Sequence, residues 1–208
     1  MLRYIARTSC FFALMLAASF VLGQAEFSAE IVDLQKPGTP TTAKIYFTKD
    51  KMRAEPQATS PHGGGAVIMN FATQTTIVLM AQQRMYMEMP AQSQGQRLGY
   101  AFFQAGDVEN ACGDWRNAGH NQGGSCHKVG NESVNGRNTV KYETTSANGD
   151  VSQFWLDPKL RFPVKWQGKN SGGELRNIQE GAQPASLFEA PAGFTKMNIP
   201  GGMMQQPR

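Results

Sequence analysis

Charge is sparse in this chain: 17% of its residues are Asp, Glu, Lys or Arg, and no stretch of it is basic. The net charge is +4 at pH 7, and it falls to +2 without Arg3 and Arg7, which lie in a segment expected to be removed. A nucleic-acid partner needs a basic patch or stripe, so none is expected. Catalytic motifs are missing as well. There is no G-x-S-x-G, no H-E-x-x-H and no phosphate-cradling G-x-x-x-x-G-K. The three histidines, His62, His120 and His127, sit in Gly-rich stretches with no Ser or Cys marked as their partner. Neither an enzyme nor a cofactor is expected. The Ala, Glu, Lys and Leu enrichment of a coiled coil is absent. An apolar fraction of 40% argues against intrinsic disorder. What remains is a Gly-rich chain of 208 residues, of ordinary size for one domain.

The N-terminus reads as an export address. Arg3 and Arg7 precede an uncharged run, Cys10 to Gly23, and Gly23-Gln24-Ala25 offers small residues at a cleavage site. A basic region, a short apolar region and a small-x-small exit make a secretory signal peptide over 1–25. The run is too short for a spanning helix of about 20 residues. No later stretch is apolar enough to span, so no transmembrane segment is expected after cleavage. The mature chain is expected in the periplasm or outside the cell.

Export gives the few cysteines meaning. Cys10 leaves with the signal, and Cys112 and Cys126 remain as a pair. In an oxidising compartment they read as one disulfide. Closing a loop of that size is worth about 3 kcal/mol on the chain-entropy model. The rival reading is a metal or redox site of Cys112, His120, Cys126 and His127, but no C-x-x-C occurs. The expected metal content is none.

From Glu26 onward, short runs of period two alternate with turn residues, the pattern of an antiparallel sheet. Strands are expected at 27–31, 42–48, 51–55, 66–71, 75–80, 84–89, 139–145, 151–156, 162–167 and 174–179. Asn148-Gly149 is the strongest hairpin signal. Helix is scarce: Gln96–Ala105 is one weak candidate and Pro184–Phe188 a single turn. Residues 90–128 form a long Gly-rich insertion without a clear strand, and 201–208 read as a tail. The expected class is mainly β: a curled antiparallel sheet over 26–200, an incompletely closed barrel with short lid segments.

The methionines are the unusual feature. Met85, Met87 and Met89 alternate along one strand, so their side chains share a face. Three readings stand: a core filled by a pliable residue, an adaptable apolar cavity, or a soft-metal site for Cu(I). Burying charge in an apolar interior costs several kcal/mol. Arg84 and Glu88 therefore place the Met face inward, and the same logic sets Met69 and Phe71 against Asn70. Val140 and Tyr142 oppose Lys141 and Glu143, and Trp166 opposes Lys165. The expected cavity wall is Met69, Phe71, Met85, Met87, Met89, Val140, Tyr142 and Trp166. Strands around it leave Ile77 and Leu79 against Val78 and Met80 undecided. Asn131-Glu132-Ser133 matches a glycosylation sequon, a short pattern common by chance.

Three stretches carry a family resemblance. The opening FSAEIVDLQKPGTPTTAKIYFTKDKMRAE, the block VGNESVNGRNTVKYETTSANGDVSQFWLDPKLRFPVKWQ and the ending ELRNIQEGAQPASLFEAPAGFTKM resemble the LolA-like superfamily of periplasmic lipoprotein-sorting and lipid-binding proteins. More narrowly, the chain resembles an uncharacterised bacterial branch of it. The resemblance covers about 27–197, without the disulfide loop and the Met-rich strand. It implies a half-barrel around an apolar cavity that binds acyl chains, and no catalytic residue. The expected function is an exported, non-catalytic binder of a hydrophobic ligand, a lipid or lipoprotein acyl chain. The alternative is a structural or protein-interaction module of the envelope with a side-chain-filled core and an envelope protein partner.

Overall fold

The computed structural model describes residues 25–35, 43–56, 65–90, 106–116 and 123–197. Twelve strands join one sheet: β1 (Phe27–Asp33), β2 (Ala43–Phe47), β3 (Lys51–Pro56), β4 (Ala66–Asn70), β5 (Thr75–Met80), β6 (Met85–Pro90), β7 (Ser125–Val134), β8 (Arg137–Thr145), β9 (Val151–Asp157), β10 (Phe162–Gln167), β11 (Gly172–Glu180) and β12 (Thr195–Lys196). Their order is β12-β6-β5-β4-β3-β2-β1-β11-β10-β9-β8-β7, so the sheet is mainly antiparallel and does not close into a barrel. Two meanders, β1–β6 and β7–β11, are joined where β1 pairs with β11. The fold class is that expected from the alternating pattern.

Helix is confined, among the described residues, to a 3-10 turn at Val108–Asn110 running into α1 (Ala111–Trp115), and a second 3-10 turn at Ala185–Phe188. The latter matches the expected turn at 184–188. The candidate helix 96–105, the signal peptide, the tail, His62 and His120 lie outside the described residues. Two strands were not expected. β7 has alternating positions exposed on both faces and carries no apolar period, and β12 is only two residues long.

Among the described residues, three clusters hold the sheet. The principal core gathers Phe27, Phe47, Met52, Phe162, Val164, Trp155 and Leu175, each at most 2% exposed. Phe27 stacks on Phe47 with ring centroids 5.4 Å apart, and Phe162 meets both rings at 5.6 and 5.0 Å. Aromatic pairs at such spacings add about 0.5–1.5 kcal/mol each beyond area burial. On the other face of β4 and β5, Ala66, Ile68 and Leu79 are covered by Phe188, with Leu187 and Phe194 alongside. The third cluster lies under α1: Val108, Ala111 and Cys112 on Val140, Tyr142 and Leu156.

The curl is fastened where the β7–β8 hairpin meets the end of β11. Asn135 Nδ2 donates to the Leu175 carbonyl at 3.4 Å. Arg137 pairs with the buried Asp157 and donates to Glu180 at 2.8 Å, and Lys159 pairs with the same Glu180. Asp157 also accepts from the backbone N–H groups of Lys159 and Leu160, which shapes the β9–β10 turn.

Candidate functional site

Strand register decides which methionines meet. Paired residues in neighbouring antiparallel strands stand on the same face. Met52 faces Met69 across β3–β4, Met69 faces Thr76 across β4–β5, and Thr76 faces Met89 across β5–β6. In the next rows Ala54, Val67, Val78 and Met87 line up, followed by Met80 and Met85. All share the face that β1 and β2 fill with Phe27, Ala29, Ile45 and Phe47. The opposite face carries Ile77, Leu79, Tyr86 and Glu88. This settles the strand left undecided: Val78 and Met80 stand with the methionines, and Ile77 and Leu79 lie under Phe188.

Burial along this face is graded. Near its centre Met52 is fully buried among phenylalanines, with Met69 and Phe71 packed on its rim. Toward the β6 edge the apolar residues are only half-buried: Val67, Val78, Met80, Met85 and Met87, with Met89 8% exposed. The face is thus a filled aromatic core that opens into an uncharged, half-exposed apolar shelf. Contiguous exposed apolar surface on a soluble domain marks an interaction site more often than a single exposed side chain does.

The remaining expected wall residues are divided. Trp166 packs on the principal core, its ring against the backbone of Gly173, its ladder partner. Val140 and Tyr142 belong to the separate cluster under α1. The alternate residues Lys141 and Trp155 stand on the other face of β8 and β9, where Trp155 joins the principal core. Tyr142 stacks on Phe154 at 5.3 Å, and its hydroxyl donates to the Val108 carbonyl at 2.8 Å and accepts from the Ala111 N–H. Burial pushes the Tyr142 phenol above its ordinary value. Cys112 and Cys126 form the expected disulfide, which ties α1 to β7 with their Cα atoms 5.5 Å apart. No group of three or more His, Cys, Asp or Glu among the described residues is placed to hold a metal ion.

A second feature lies at the β7–β8 hairpin. A cleft of about 390 Å³ is lined by Glu109, Asn131, Glu132, Ser133, Asn138, Thr139, Val140 and Pro158. Glu109 pairs with Lys128 and Glu132 with Lys141. The Trp155 ring lies between the ammonium groups of Lys141 and Lys165, at 4.7 and 4.6 Å. Its indole N–H is buried and finds no acceptor in hydrogen-bonding geometry, but it lies near Glu132. That N–H, and then Lys141, hold the Glu132 carboxyl below its ordinary value. The sequence pattern could not reveal this cleft, because it is built by a strand with no hydrophobic period.

No protein-family model and no curated protein sequence matches the chain. Likeness appears in solved structures. An uncharacterised conserved protein of Thermus thermophilus superposes with a TM-score of 0.53 at 7% identity, over 85% of this chain and 91% of that one. A chain of the Pseudomonas aeruginosa MucA/MucB complex gives 0.51 at 17% identity, over 86% of this chain and 60% of that chain. The present chain therefore spans about 60% of that chain's length. The LolA superfamily protein NE2245 of Nitrosomonas europaea gives 0.32 at 12% identity, too low to argue from. No helix among the described residues is long and apolar enough to cross a membrane. What is shared with the first two structures is the architecture.

Proposed function

We propose that the protein is an exported, non-catalytic binder of an apolar ligand, an acyl chain of a lipid or lipoprotein, held on the Met-rich shelf of β4–β6. The supporting observation is the half-buried row Val67, Val78 and Met87 with Met80 and Met85, continuous with the aromatic core and free of charge on its own face. Methionine suits such a task, since its three rotatable bonds and polarisable sulfur adapt to varied ligand shapes. The buried core around Phe27 and Phe47 leaves that end of the face filled, so the ligand lies along β4–β6 and not deep in the sheet.

Met87→Asp places a carboxylate on the shelf and should abolish binding of a fluorescent fatty-acid probe. Glu88→Ala, on the opposite face, loses an exposed ion pair with Lys196 and should leave probe binding nearly unchanged. Equal effects from the two substitutions would sink the proposal.

A protein-interaction role is the second reading, favoured by the polar cleft beside the β7 edge. The MucA/MucB structure is a complex of two proteins, and a chain of it shares this architecture. In that case probe binding would be absent, and substitutions at Asn131 and Asn138 would weaken capture of an envelope protein.

A further inference from the structure

Four methionines stand on one face around β6. Met80 and Met85 are direct cross-strand partners. β12 runs parallel to β6, with Thr195 beside Met85 and Lys196 beside Tyr86, and the Met197 N–H donates to the Tyr86 carbonyl at 2.8 Å. Continuing that register sets Met197 beside Met87, on the face of Met80 and Met85. Lys196 confirms the alternation, since its ammonium pairs with Glu88 on the opposite face. Cross-strand partners hold their Cβ atoms about 4.5–5.5 Å apart. Residues two apart on one strand are separated by about 6.7 Å. Met85 and Met87 are thus close neighbours of both Met80 and Met197, and flexible side chains can bring the sulfurs of three of the four to one point at a time. All four are half-buried, so an ion can reach them without opening the core.

We propose that Met80, Met85, Met87 and Met197 form a binding site for a soft monovalent cation, Cu(I). Thioether sulfur is a soft, neutral donor that favours Cu(I) and has little affinity for Zn(II), Mg(II) or Ca(II). Among the described residues, the strands carrying these methionines present no carboxylate or imidazole on this face. Tyr86 and Glu88 of β6 and Lys196 of β12 face away, and β5 carries no titratable group. Thiolate and imidazole sites lose affinity when their ligands protonate. A thioether has no proton to exchange in this range, so binding here is independent of pH between 7 and 5. The reading does not depend on the acyl-chain proposal, although the two share part of a face.

The test is titration of the mature chain with Ag(I), a redox-inert stand-in, and with Cu(I) against a competing chelator under anaerobic conditions. One ion per chain is expected, with shifts of the Met80, Met85, Met87 and Met197 methyl resonances and equal affinity at pH 7 and pH 5. The double substitution Met85→Leu with Met87→Leu keeps shape and apolarity and should remove stoichiometric binding. Met69→Leu, on the far side of β5, should leave it intact. Met197→Leu, outside the β4–β6 shelf, should weaken metal binding while the fatty-acid probe is retained, so loss of metal and loss of lipid binding report on separate proposals. Ag(I) affinity unchanged by the Leu pair, or methyl shifts confined to methionines elsewhere, would overturn the site. So would loss of affinity at pH 5.

Discussion

At the scale of single residues, two positions show how closely this sheet is fitted. A Cβ on Gly173 would come within 2.4 Å of the Trp166 ring, a distance that non-bonded atoms do not adopt. Glycine at this position lets the indole lie flat on β11 and pack on the principal core. Gly173→Ala should therefore destabilise the fold by about 1–3 kcal/mol, the usual cost of overpacking. A denaturation midpoint equal to that of the wild type would show that the ring has room to move. Alternation with Lys165 and Gln167 gave the expectation that Trp166 faces inward, and the structure packs it, partly buried, against the principal core. Its dependence on Gly173 was not legible, because the two are partners only once β10 and β11 pair.

Elements differ in how much of themselves they disclose. Phe162–Gln167, with one mainly apolar face, has the bounds that its period of two implied, and Thr75–Met80, apolar on both faces, keeps its expected bounds as well. β7 was hidden because both of its faces meet solvent and Val129–Gly130 interrupts its pairing with β8. Its place in the sheet is secured by β8 on one side and by the disulfide to α1 on the other. α1 itself is five residues long, far below the length at which a helix is stable alone. Its hold on Val140 and Tyr142 comes from packing, the Tyr142 hydroxyl and the Cys112–Cys126 bond. Replacing both cysteines by serine should lower stability by about 3 kcal/mol on the chain-entropy model. It should also raise hydrogen exchange at Ala111 more than at Leu175. Uniform acceleration across the sheet would mean that the bond supports the whole fold and not this one flap.

For the molecule as a whole, the decisive contacts are those between distant parts of the chain, and local pattern cannot supply them. The β1–β11 pairing, the Arg137–Asp157–Glu180–Lys159 cluster and the placement of Met197 beside Met87 all depend on topology. The Met face was legible from one strand, but its fourth thioether came from about 110 positions away. The ion cluster makes a prediction with a definite sign. Hydrogen bonds from Lys159 and Arg137 hold the Glu180 carboxyl below its ordinary value. Its stabilising contribution is therefore complete above the unfolded value of about 4.3 and is lost as pH falls through the lower folded value. Glu180→Gln should flatten the acid limb of the stability curve in that window relative to wild type. Parallel curves would remove Glu180 from the fastening of the curl.

The central claim, an apolar ligand on the shelf of β4–β6, is tested most directly by photo-crosslinking with a diazirine-bearing fatty acid followed by peptide mapping. The account predicts labelling within Thr75–Met80 and Met85–Pro90, suppressed by excess unlabelled fatty acid and absent in Met87→Asp. Labelling concentrated on Val108–Trp115 and β7, or no competable labelling at all, would contradict it.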